Sequence, residues 1–472
     1  MAKINVPVHK GEVLTATVAD LTYEGNGVIK VEGYPIFVPY VLPGEQAEIK
    51  VVKVTTKFAW GELQELKTKS PDRVEIKDAR YLKTGIAPLG ILSYPAQLKF
   101  KQHQIEELLK KAHLDEIKVM PTMGMDHPYQ YRNKAQVPVK YMKGQLQTGF
   151  YKRGSHDLVP IEDFYIQDPK IDAAILVVRD LLRKYNIRAY DERTGRGCIR
   201  TVMVRRGYYS HEIMVVLVTN TRQLPHAEEI AAGIVSGVPE VKSIVQNINT
   251  KQTNKLLGLE NHTLWGSDTI HDQLLGIDFT ISPLSFYQVN PQQTEKLYQT
   301  AIAAAGLDGT QTVIDAYCGI GTISLAVAKH AKKVYGVEIV PAAIEDAKQN
   351  AKANQIDNAE FVVGKAEEQM AKWQKEGLKP DVLIVDPPRK GLDESLIDAA
   401  GKMAPAKIIY VSCNPATLVR DLQRFAFVGY HVVQPIQPVD QFPQTPHVES
   451  ITVLERTEKQ PINAGMTAFI AD

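Results

Sequence analysis

The stretch Val313-Ile314-Asp315-Ala316-Tyr317-Cys318-Gly319-Ile320-Gly321 is a short apolar run that ends in a glycine-rich turn. Such a run is typical of a buried parallel strand, and the glycines let a ligand approach the backbone closely. A helix is predicted from Thr322 to His330, and the apolar run from Val334 to Glu338 predicts the next strand. This β-α-β order is the repeating unit of an open parallel sheet.

Three more apolar runs continue the pattern: Phe361 to Gly364, Val382 to Val385 and Ile408 to Val411. Strands that alternate with helical stretches predict a doubly wound parallel sheet. We therefore predict an α/β, Rossmann-like domain at residues 281–472. Residues 1–66 and 67–280 are predicted to form two further domains, because a chain of 472 residues is too long for one core.

An acid ends the second strand of the predicted sheet. Glu338 lies 19 residues after Gly319, where a carboxylate can accept both hydroxyls of a ribose. Position 324 is serine, so the three-glycine pattern of dinucleotide-binding proteins is incomplete. A ligand with a ribose and a charged tail but no pyrophosphate fits better, and S-adenosylmethionine is such a ligand. A tight turn that binds nothing is the alternative.

Two further motifs follow the ends of the last two predicted strands. In Asp386-Pro387-Pro388-Arg389, two prolines fix the backbone around a carboxylate beside the mouth of the ligand site. Ser412-Cys413-Asn414-Pro415 stands where open α/β sheets place their chemistry. The alternatives are a structural strand exit for the first motif and a small buried thiol for the second. The neighbouring motifs favour a reactive Cys413.

The N-terminal residues 10 to 66 alternate short β-rich runs with glycine turns. The runs are Val13 to Val18, Ile36 to Pro39 and Glu48 to Val54. Their close spacing predicts a small OB-type barrel, a fold that often binds nucleic acid. Acidic residues outnumber lysines here, so a barrel without a nucleic-acid role is equally supported. Ser70-Pro71-Asp72-Arg73 is the predicted linker.

Residues 129 to 156 carry six Lys and Arg residues and no acid. The basic residues are Arg132, Lys134, Lys140, Lys143, Lys152 and Arg153, and the aromatic residues among them are Tyr129, Tyr131, Tyr141, Phe150 and Tyr151. Cations for phosphates and rings for unstacked bases are what binding of single-stranded RNA requires. A solvated β-hairpin is the alternative. Before this segment, apolar spacing predicts a helix over 95–113, packed on the C-terminal domain with its lysines on the other face.

The overall composition is that of a globular protein, with 44% hydrophobic residues, 23% charged residues and a net charge of +1. Cys198, Cys318 and Cys413 lie far apart and form neither a disulfide framework nor a metal quartet, which favours a reducing compartment. Cys198 and Cys318 are expected to be structural. No apolar run predicts a membrane span, and Met1 to Asn5 lack the apolar core of a leader. A cytoplasmic protein is predicted.

Five motifs together resemble those of the RNA uracil-5-methyltransferase family. They are Ser285-Phe286-Tyr287-Gln288-Val289-Asn290, Asp315 to Gly321, Asp386-Pro387-Pro388-Arg389-Lys390-Gly391, Ser412-Cys413-Asn414-Pro415 and His447-Val448-Glu449-Ser450. Residues 10 to 66 are similar to the TRAM domain of that family, an RNA-binding barrel. The resemblance implies S-adenosylmethionine-dependent formation of 5-methyluridine in RNA. The TRAM-bearing arrangement resembles the enzymes that act on 23S ribosomal RNA.

The resemblance also implies roles for individual residues. Cys413 would add to carbon 6 of uracil as the nucleophile, and Glu449 would then take the proton from carbon 5, with His447 as the alternative base. The expected S-adenosylmethionine contacts are Gln288 at the methionine end, Tyr317 along the pocket, Glu338 at the ribose, and Asp386 at the cofactor, the uracil or both.

The chain departs from the family at the cysteine quartet that holds a [4Fe–4S] cluster in relatives. The matching positions hold Asp78, Thr84, Ala87 and Phe164. None of them can supply a thiolate, so neither a cluster nor another metal site is expected. Packing must then hold the central domain together.

We therefore expect an enzyme that methylates uridine in a loop of 23S rRNA, where flipping the base out of its stack costs least. A tRNA T-loop is the alternative substrate within the same class. A non-catalytic RNA chaperone or assembly factor is the alternative of another class, and retention of Cys413 and Glu449 speaks against it. No obligate protein partner is expected.

Overall fold

The structure is a computed structural model and describes residues 6–253 and 255–456. Met1 to Asn5, on which the predicted lack of a leader depends, lie outside these residues. Within the two described ranges, no helix is both long enough and apolar enough to cross a membrane.

The N-terminal sheet has six strands in the order β1-β5-β6-β4-β3-β2. They are β1 (Val13–Thr17), β2 (Asp20–Leu21), β3 (Gly27–Val31), β4 (Tyr34–Val38), β5 (Gln46–Val54) and β6 (Ala59–Leu66). Ile29, Ile36, Ile49 and Ala59 come from four different strands and are fully buried in one core. These side chains lie on one face of the sheet, and that face forms the core of the N-terminal region.

The central sheet has seven strands in the order β13-β12-β11-β10-β7-β8-β9. Along the chain this region contains α1 (Arg80–Thr84), α2 (Tyr94–Lys111), β7 (Lys134–Met142), β8 (Gln145–Tyr151), β9 (Leu158–Pro160), α3 (Pro169–Lys184), β10 (Ile199–Arg206), β11 (Ile213–Thr219), α4 (Ala227–Gly237), β12 (Val241–Ile248) and β13 (Glu260–Gly266). Side chains alternate between the two faces of the sheet. Val202 and Val204 share a core with α3 and α4, whereas Met203 packs in the core of the C-terminal sheet.

The C-terminal sheet has eight strands, seven of them in the order β18-β17-β16-β19-β20-β23-β21, with β22 paired to β23. A two-stranded sheet precedes it, and the elements are β14 (Ile270–Leu274), β15 (Ile277–Ile281), α5 (Pro291–Ala305), β16 (Thr312–Asp315), α6 (Thr322–Ala328), β17 (Lys333–Glu338), α7 (Pro341–Ala353), β18 (Ala359–Val363), α8 (Ala366–Lys375), β19 (Val382–Val385), α9 (Glu394–Met403), β20 (Lys407–Ser412), α10 (Pro415–Phe427), β21 (Tyr430–Val432), β22 (Gln437–Val439) and β23 (Glu449–Arg456). Helices α5 to α7 cover one face, and α8 to α10 cover the other. The α/β fold with a doubly wound sheet is as predicted, but β23 runs antiparallel beside β20 and was not predicted.

Two pieces from outside residues 281–472 pack into the cores of this sheet. The hairpin β14–β15 shares one core with α5 and β16, and Ile105 and Leu109 of α2 share the other with α10. The prediction that the lysines of α2 face away from this core is wrong at Lys101, which is fully buried and pairs with Asp440. This ion pair fixes α2 against the segment that leads to Glu449.

Candidate active site

Three loops meet at the carboxyl edge of the C-terminal sheet, after β16, β19 and β20. Because these strands are parallel neighbours, their ends lie at the same edge. The loops carry the glycine turn, the Asp386 motif and Cys413. The structure therefore brings together motifs that are separated by almost one hundred residues of chain.

The glycine turn after β16 is built around a buried carboxylate. Gly319 and Gly321 have positive φ angles of 55° and 87°, and a side chain added at Gly319 would meet nothing within 4 Å. Ser324 donates a hydrogen bond of 2.5 Å to Asp315 Oδ2, and burial raises the pKa of Asp315 to about 6. The serine that interrupts the three-glycine pattern thus holds Asp315, and open space for a ligand lies beside the turn.

Glu338 and Tyr317 flank this open space. The Cys318 N–H donates to the Val337 carbonyl at 3.1 Å, which brings the turn beside the end of β17. Glu338 is half-buried and its Oε1 accepts a hydrogen bond of 2.9 Å from the Val340 N–H. Burial, together with the negative charges of Glu367 and other nearby acids including Glu338, raises the pKa of Tyr317. The two residues predicted for the ribose and the pocket therefore lie at one place.

Gln288 lies in the loop between β15 and α5 and contacts a residue that the sequence did not single out. Its Nε2 donates to the hydroxyl of Tyr298 at 3.4 Å. Tyr298 is buried on α5, and burial together with the charges of Asp386 and Glu449 raises its pKa. Tyr298 thus contacts Gln288 and also lies near the carboxyl groups of Asp386 and Glu449. In the sequence, Tyr298 falls at the spacing of the apolar residues of a helix, so it looks like an ordinary core residue.

Cys413 and Glu449 face each other across β20 and β23. Ser412 pairs with Ser450 in the antiparallel register, so the next position places Cys413 opposite Glu449. The Cys413 Sγ lies 3.9 Å from the Pro387 carbonyl oxygen. Burial and the charges of Glu449 and Asp386 raise the pKa of Cys413 to about 12, so it is a thiol at neutral pH.

Asp386 and Glu449 form a pair of like charges beside this thiol. Burial and the charge of Asp315 raise the pKa of Asp386 to about 7. Burial and the charge of Asp386 raise the pKa of Glu449 well above its ordinary value. Two close buried carboxylates do not both ionise readily, so the pair holds a proton near neutral pH.

The loop after β19 is fastened to the start of α10. The Asn414 side chain donates to the Arg389 carbonyl at 2.8 Å, and Asp421 accepts a hydrogen bond of the same length from the Leu392 N–H. Gly391 has a φ of 75°, and an added Cβ would lie 2.6 Å from an oxygen of Asp421. Only glycine fits there. These contacts hold Asp386 and Arg389 in place beside Cys413.

His447, the alternative base, lies against Arg389. The Arg389 Nη2 is 3.4 Å from His447 Nε2. Desolvation and the positive charges of Arg389, Lys101 and Arg132 lower the pKa of His447 to about 4. The imidazole is therefore neutral at neutral pH and can accept a proton, and it lies two residues from Glu449.

Comparison with known proteins assigns the chain to a family. Residues 93–457 match the family model described as tRNA (Uracil-5-)-methyltransferase, and residues 7–63 match the TRAM domain. The chain belongs to the tRNA (uracil-5-)-methyltransferase family. The predicted family, the α/β fold, the enzyme class and S-adenosylmethionine as the methyl donor are confirmed.

Two relatives of this family member cover almost its whole length. An RNA methyltransferase of Lactiplantibacillus plantarum is 62% identical and covers 97% of this chain and 100% of its own. One from Enterococcus faecalis is 50% identical, over 96% of this chain and 99% of its own. The solved structure of Pyrococcus abyssi tRNA (uracil-54, C5)-methyltransferase in complex with S-adenosyl-L-homocysteine is similar with a TM-score of 0.77. It is 27% identical, over 93% of this chain and 99% of that chain.

The four positions that replace the cysteine quartet lie in and around a packed cluster of the central region. Ala87 and Phe164 are fully buried, and the Phe164 ring centroid is 5.0 Å from that of Phe150. Asp78 accepts a hydrogen bond of 2.7 Å from Arg80, whose carbonyl accepts one from Thr84. These residues do not fit a cluster, because carboxylate, hydroxyl and hydrocarbon groups replace the thiolates. The two cysteines that are expected to be structural, Cys198 and Cys318, are both buried.

Proposed function

We propose that this RNA uracil-5-methyltransferase modifies 23S rRNA through a covalent adduct between Cys413 and the target uracil. The observation that carries the proposal is the position of Cys413, opposite Glu449 and beside the open glycine turn. This arrangement would place a flipped base with a nucleophile on one side and a proton acceptor within reach. The domain division at 1–66, 67–280 and 281–472 belongs to the same proposal.

The proposed chemistry assigns one task to each group. The Cys413 thiol gives its proton to water and its sulfur bonds to carbon 6 of uracil, so that electron density from the carbon 5–carbon 6 double bond builds up on carbon 5. S-adenosylmethionine would supply the methyl group that bonds to carbon 5, with cleavage of its sulfur–methyl bond and release of S-adenosylhomocysteine. Glu449 then accepts the carbon-5 proton, the double bond re-forms, and the bond between carbon 6 and sulfur breaks. The positive charge of Arg389 partly offsets the rise in the pKa of Cys413 that burial and the two carboxylates cause.

Four residues are proposed to hold S-adenosylmethionine. They are Gln288 at the methionine end, Tyr317 along the pocket, Glu338 at the ribose and Asp386 beside the reacting groups. The open space over Gly319 and the position of Glu338 at the end of β17 support this assignment, because the Cys318–Val337 hydrogen bond places that strand end beside the turn. Asp386 has a pKa of about 7, so it can carry a proton and donate a hydrogen bond to the uracil as well.

The choice of 23S rRNA rests on the TRAM barrel at residues 7–63. The Pyrococcus abyssi neighbour, named as a tRNA (uracil-54, C5)-methyltransferase, favours tRNA as the second candidate substrate. Mapping 5-methyluridine by mass spectrometry in rRNA and tRNA from a deletion strain separates the two. Loss confined to 23S rRNA supports the proposal, and loss confined to tRNA overturns it. With RNA as substrate, we also propose a cytoplasmic location.

The purified protein is expected to be colourless and free of iron. Asp78, Thr84, Ala87 and Phe164 offer no thiolate, and Phe164 fills space in the core instead. Iron and acid-labile sulfide should be assayed after anaerobic purification, with a relative that keeps the four cysteines as the positive control. Stoichiometric iron and sulfide in this protein would contradict the expectation.

Removing four charges from the β7–β8 hairpin region should weaken the salt dependence of RNA binding. Lys140, Lys143, Lys152 and Arg153 lie on or next to this hairpin, and Lys143, Lys152 and Arg153 are exposed. Each lost phosphate contact should reduce the slope of log affinity against log salt by about 0.7–0.9. The measurement is RNA binding at several salt concentrations for the quadruple Gln variant.

A matched control changes four exposed lysines on α7 and α8. These are Lys348, Lys352, Lys372 and Lys375. Replacing them with Gln removes the same number of charges from elements that carry none of the predicted RNA-binding residues, so the slope should be unchanged. Equal slopes for the hairpin variant and the wild type would indicate that the hairpin is a solvated surface that does not contact RNA phosphates.

A further inference from the structure

One face of β7 lies beside the catalytic domain. The side chains of Ala135, Val137 and Val139 are buried in the core with α3. The alternate residues are half-buried and lie on the opposite face: Lys134, Gln136, Pro138 and Lys140. On that face the neighbouring Met203 of β10 packs into the catalytic core. The catalytic domain thus covers β10 fully but leaves the β7 part of the face accessible.

Lys134 stands on this face beside a second cation. It pairs with Arg205 of β10, so the two side chains emerge next to each other. Arg205 is buried, and its guanidinium donates to the carbonyls of Ser282 and Ser285 at 3.1 and 2.9 Å. Carbonyls satisfy its donors but do not neutralise its charge.

The charges that act on Lys134 are all positive. They come from Arg205 and Arg132, and within the described residues no carboxylate offsets them. Arg206, the next residue of β10, points to the other face and is paired with Asp168 and Glu240. Arg206 is therefore neutralised within the protein, whereas the cations beside Lys134 are not. An unbalanced cluster of this kind favours an anionic ligand.

The cluster lies next to the candidate active site. The N–H of Asn133 donates to the Val289 carbonyl at 2.9 Å, and its side chain donates to the Gln288 carbonyl at 3.2 Å. The residue directly before Lys134 is thus hydrogen-bonded to the loop that carries Gln288. On the other side, the charge of Arg132 reaches His447, which is 3.4 Å from Arg389. Positively charged side chains therefore lie between Cys413 and β7: Arg389, Arg132 and Lys134.

We propose that Lys134, between Arg132 and Arg205, binds a backbone phosphate of the substrate RNA beside the target uridine. The proposal rests on the proposed function for the placement of that uridine at Cys413. Lys140 lies on the same face of β7, about 20 Å further along the strand, where it can meet the same RNA strand again. A phosphate at Lys134 would fix the backbone next to the flipped nucleotide.

This site makes RNA binding dependent on pH in a defined direction. Burial and the charges of Arg205 and Arg132 lower the pKa of Lys134 to about 7. Tyr287 faces Arg205 from the loop 282–290, and burial raises its pKa, so it is uncharged. A bound phosphate favours the protonated lysine, so binding takes up a proton. RNA affinity from this site is full below pH 7 and falls as the pH rises above it, by at most about tenfold per pH unit.

Two substitutions at Lys134 test the proposal. In Lys134→Arg the charge is permanent, so affinity for RNA should persist at about pH 8.5 and its pH dependence should be flatter than in the wild type. In Lys134→Met the charge is absent, so affinity should be low at every pH. The measurement is fluorescence anisotropy with a labelled uridine-rich single-stranded RNA between about pH 6 and about pH 8.5 at constant ionic strength. Lys375→Met, an exposed position on α8, is the control that should match the wild type.

A thermal-unfolding readout separates this binding role from a structural one. Methionine removes a half-buried, partly desolvated charge that has no counter-charge, so Lys134→Met should unfold at a higher temperature while it binds RNA more weakly. Wild-type affinity in Lys134→Met, or a wild-type pH profile in Lys134→Arg, overturns the proposal. Oligonucleotide binding does not depend on which RNA is the natural substrate. Failure here therefore leaves the 23S rRNA proposal intact, and failure of the rRNA mapping leaves this site intact.

Discussion

Replacement of Cys413 by alanine should abolish methylation of RNA while S-adenosylmethionine still binds with an affinity within about twofold of wild type. Cys413 is proposed to act on the base and not on the methyl donor. The groups proposed for the donor are Gln288, Tyr317, Glu338 and Asp386, all of which lie outside the loop that carries Cys413. Activity with methyl-labelled S-adenosylmethionine and calorimetry with the unlabelled compound measure the two properties.

The matched control for this variant is Cys198→Ala. Cys198 is also a free cysteine, but it is buried in the central region beside Thr221. Its replacement should leave activity close to wild type, which shows that loss of a thiol alone is harmless. If Cys413→Ala loses S-adenosylmethionine binding together with activity, Cys413 belongs to the cofactor pocket and the nucleophile assignment is wrong.

The sequence predicts the parallel strands of the catalytic sheet because each is a short apolar run between a turn and a helix. Strands β17 to β20 begin and end within two residues of their predicted limits. The same local signals place Cys413 after a strand and Glu338 at the end of another. Local patterns suffice here because burial on both faces makes each parallel strand a continuous apolar run.

The contacts that complete the candidate site depend on pairing between distant segments. Strand β23 inserts antiparallel beside β20, and this register alone puts Glu449 opposite Cys413. Tyr298 looks like a core residue of α5, and Lys101 like a surface lysine of α2, until their partners are known. Burial of a polar side chain depends on which groups reach it in space, and the order of residues does not reveal that.

Replacement of Glu449 by glutamine should separate the two halves of the proposed reaction. Glutamine keeps the shape and the hydrogen-bonding reach of Glu449 but cannot accept the carbon-5 proton. The negative charge of Glu449 raises the pKa of Cys413, so its removal makes the thiol more acidic and does not hinder the attack on carbon 6. Turnover should fall by about 10²- to 10⁴-fold, the range for loss of a general base.

The methylated RNA should then stay attached to the protein through Cys413, because elimination needs the proton to leave first. The adduct would migrate as a slow, heat-resistant band on a denaturing gel. It should be sensitive to RNase and should carry label from methyl-labelled S-adenosylmethionine. Adding Cys413→Ala to the Glu449→Gln variant should remove the band, which serves as the control for the bond to sulfur.

Two other results for Glu449→Gln would assign a different role to Glu449. Normal turnover in Glu449→Gln would make His447 the first candidate for the base, since its pKa of about 4 leaves it neutral and able to accept a proton. The double variant Glu449→Gln with His447→Gln would then lose activity. If Glu449→Gln binds RNA but forms no adduct, Glu449 acts before methyl transfer. In that case Glu449, in its ionised form, would be the group that takes the proton of the Cys413 thiol.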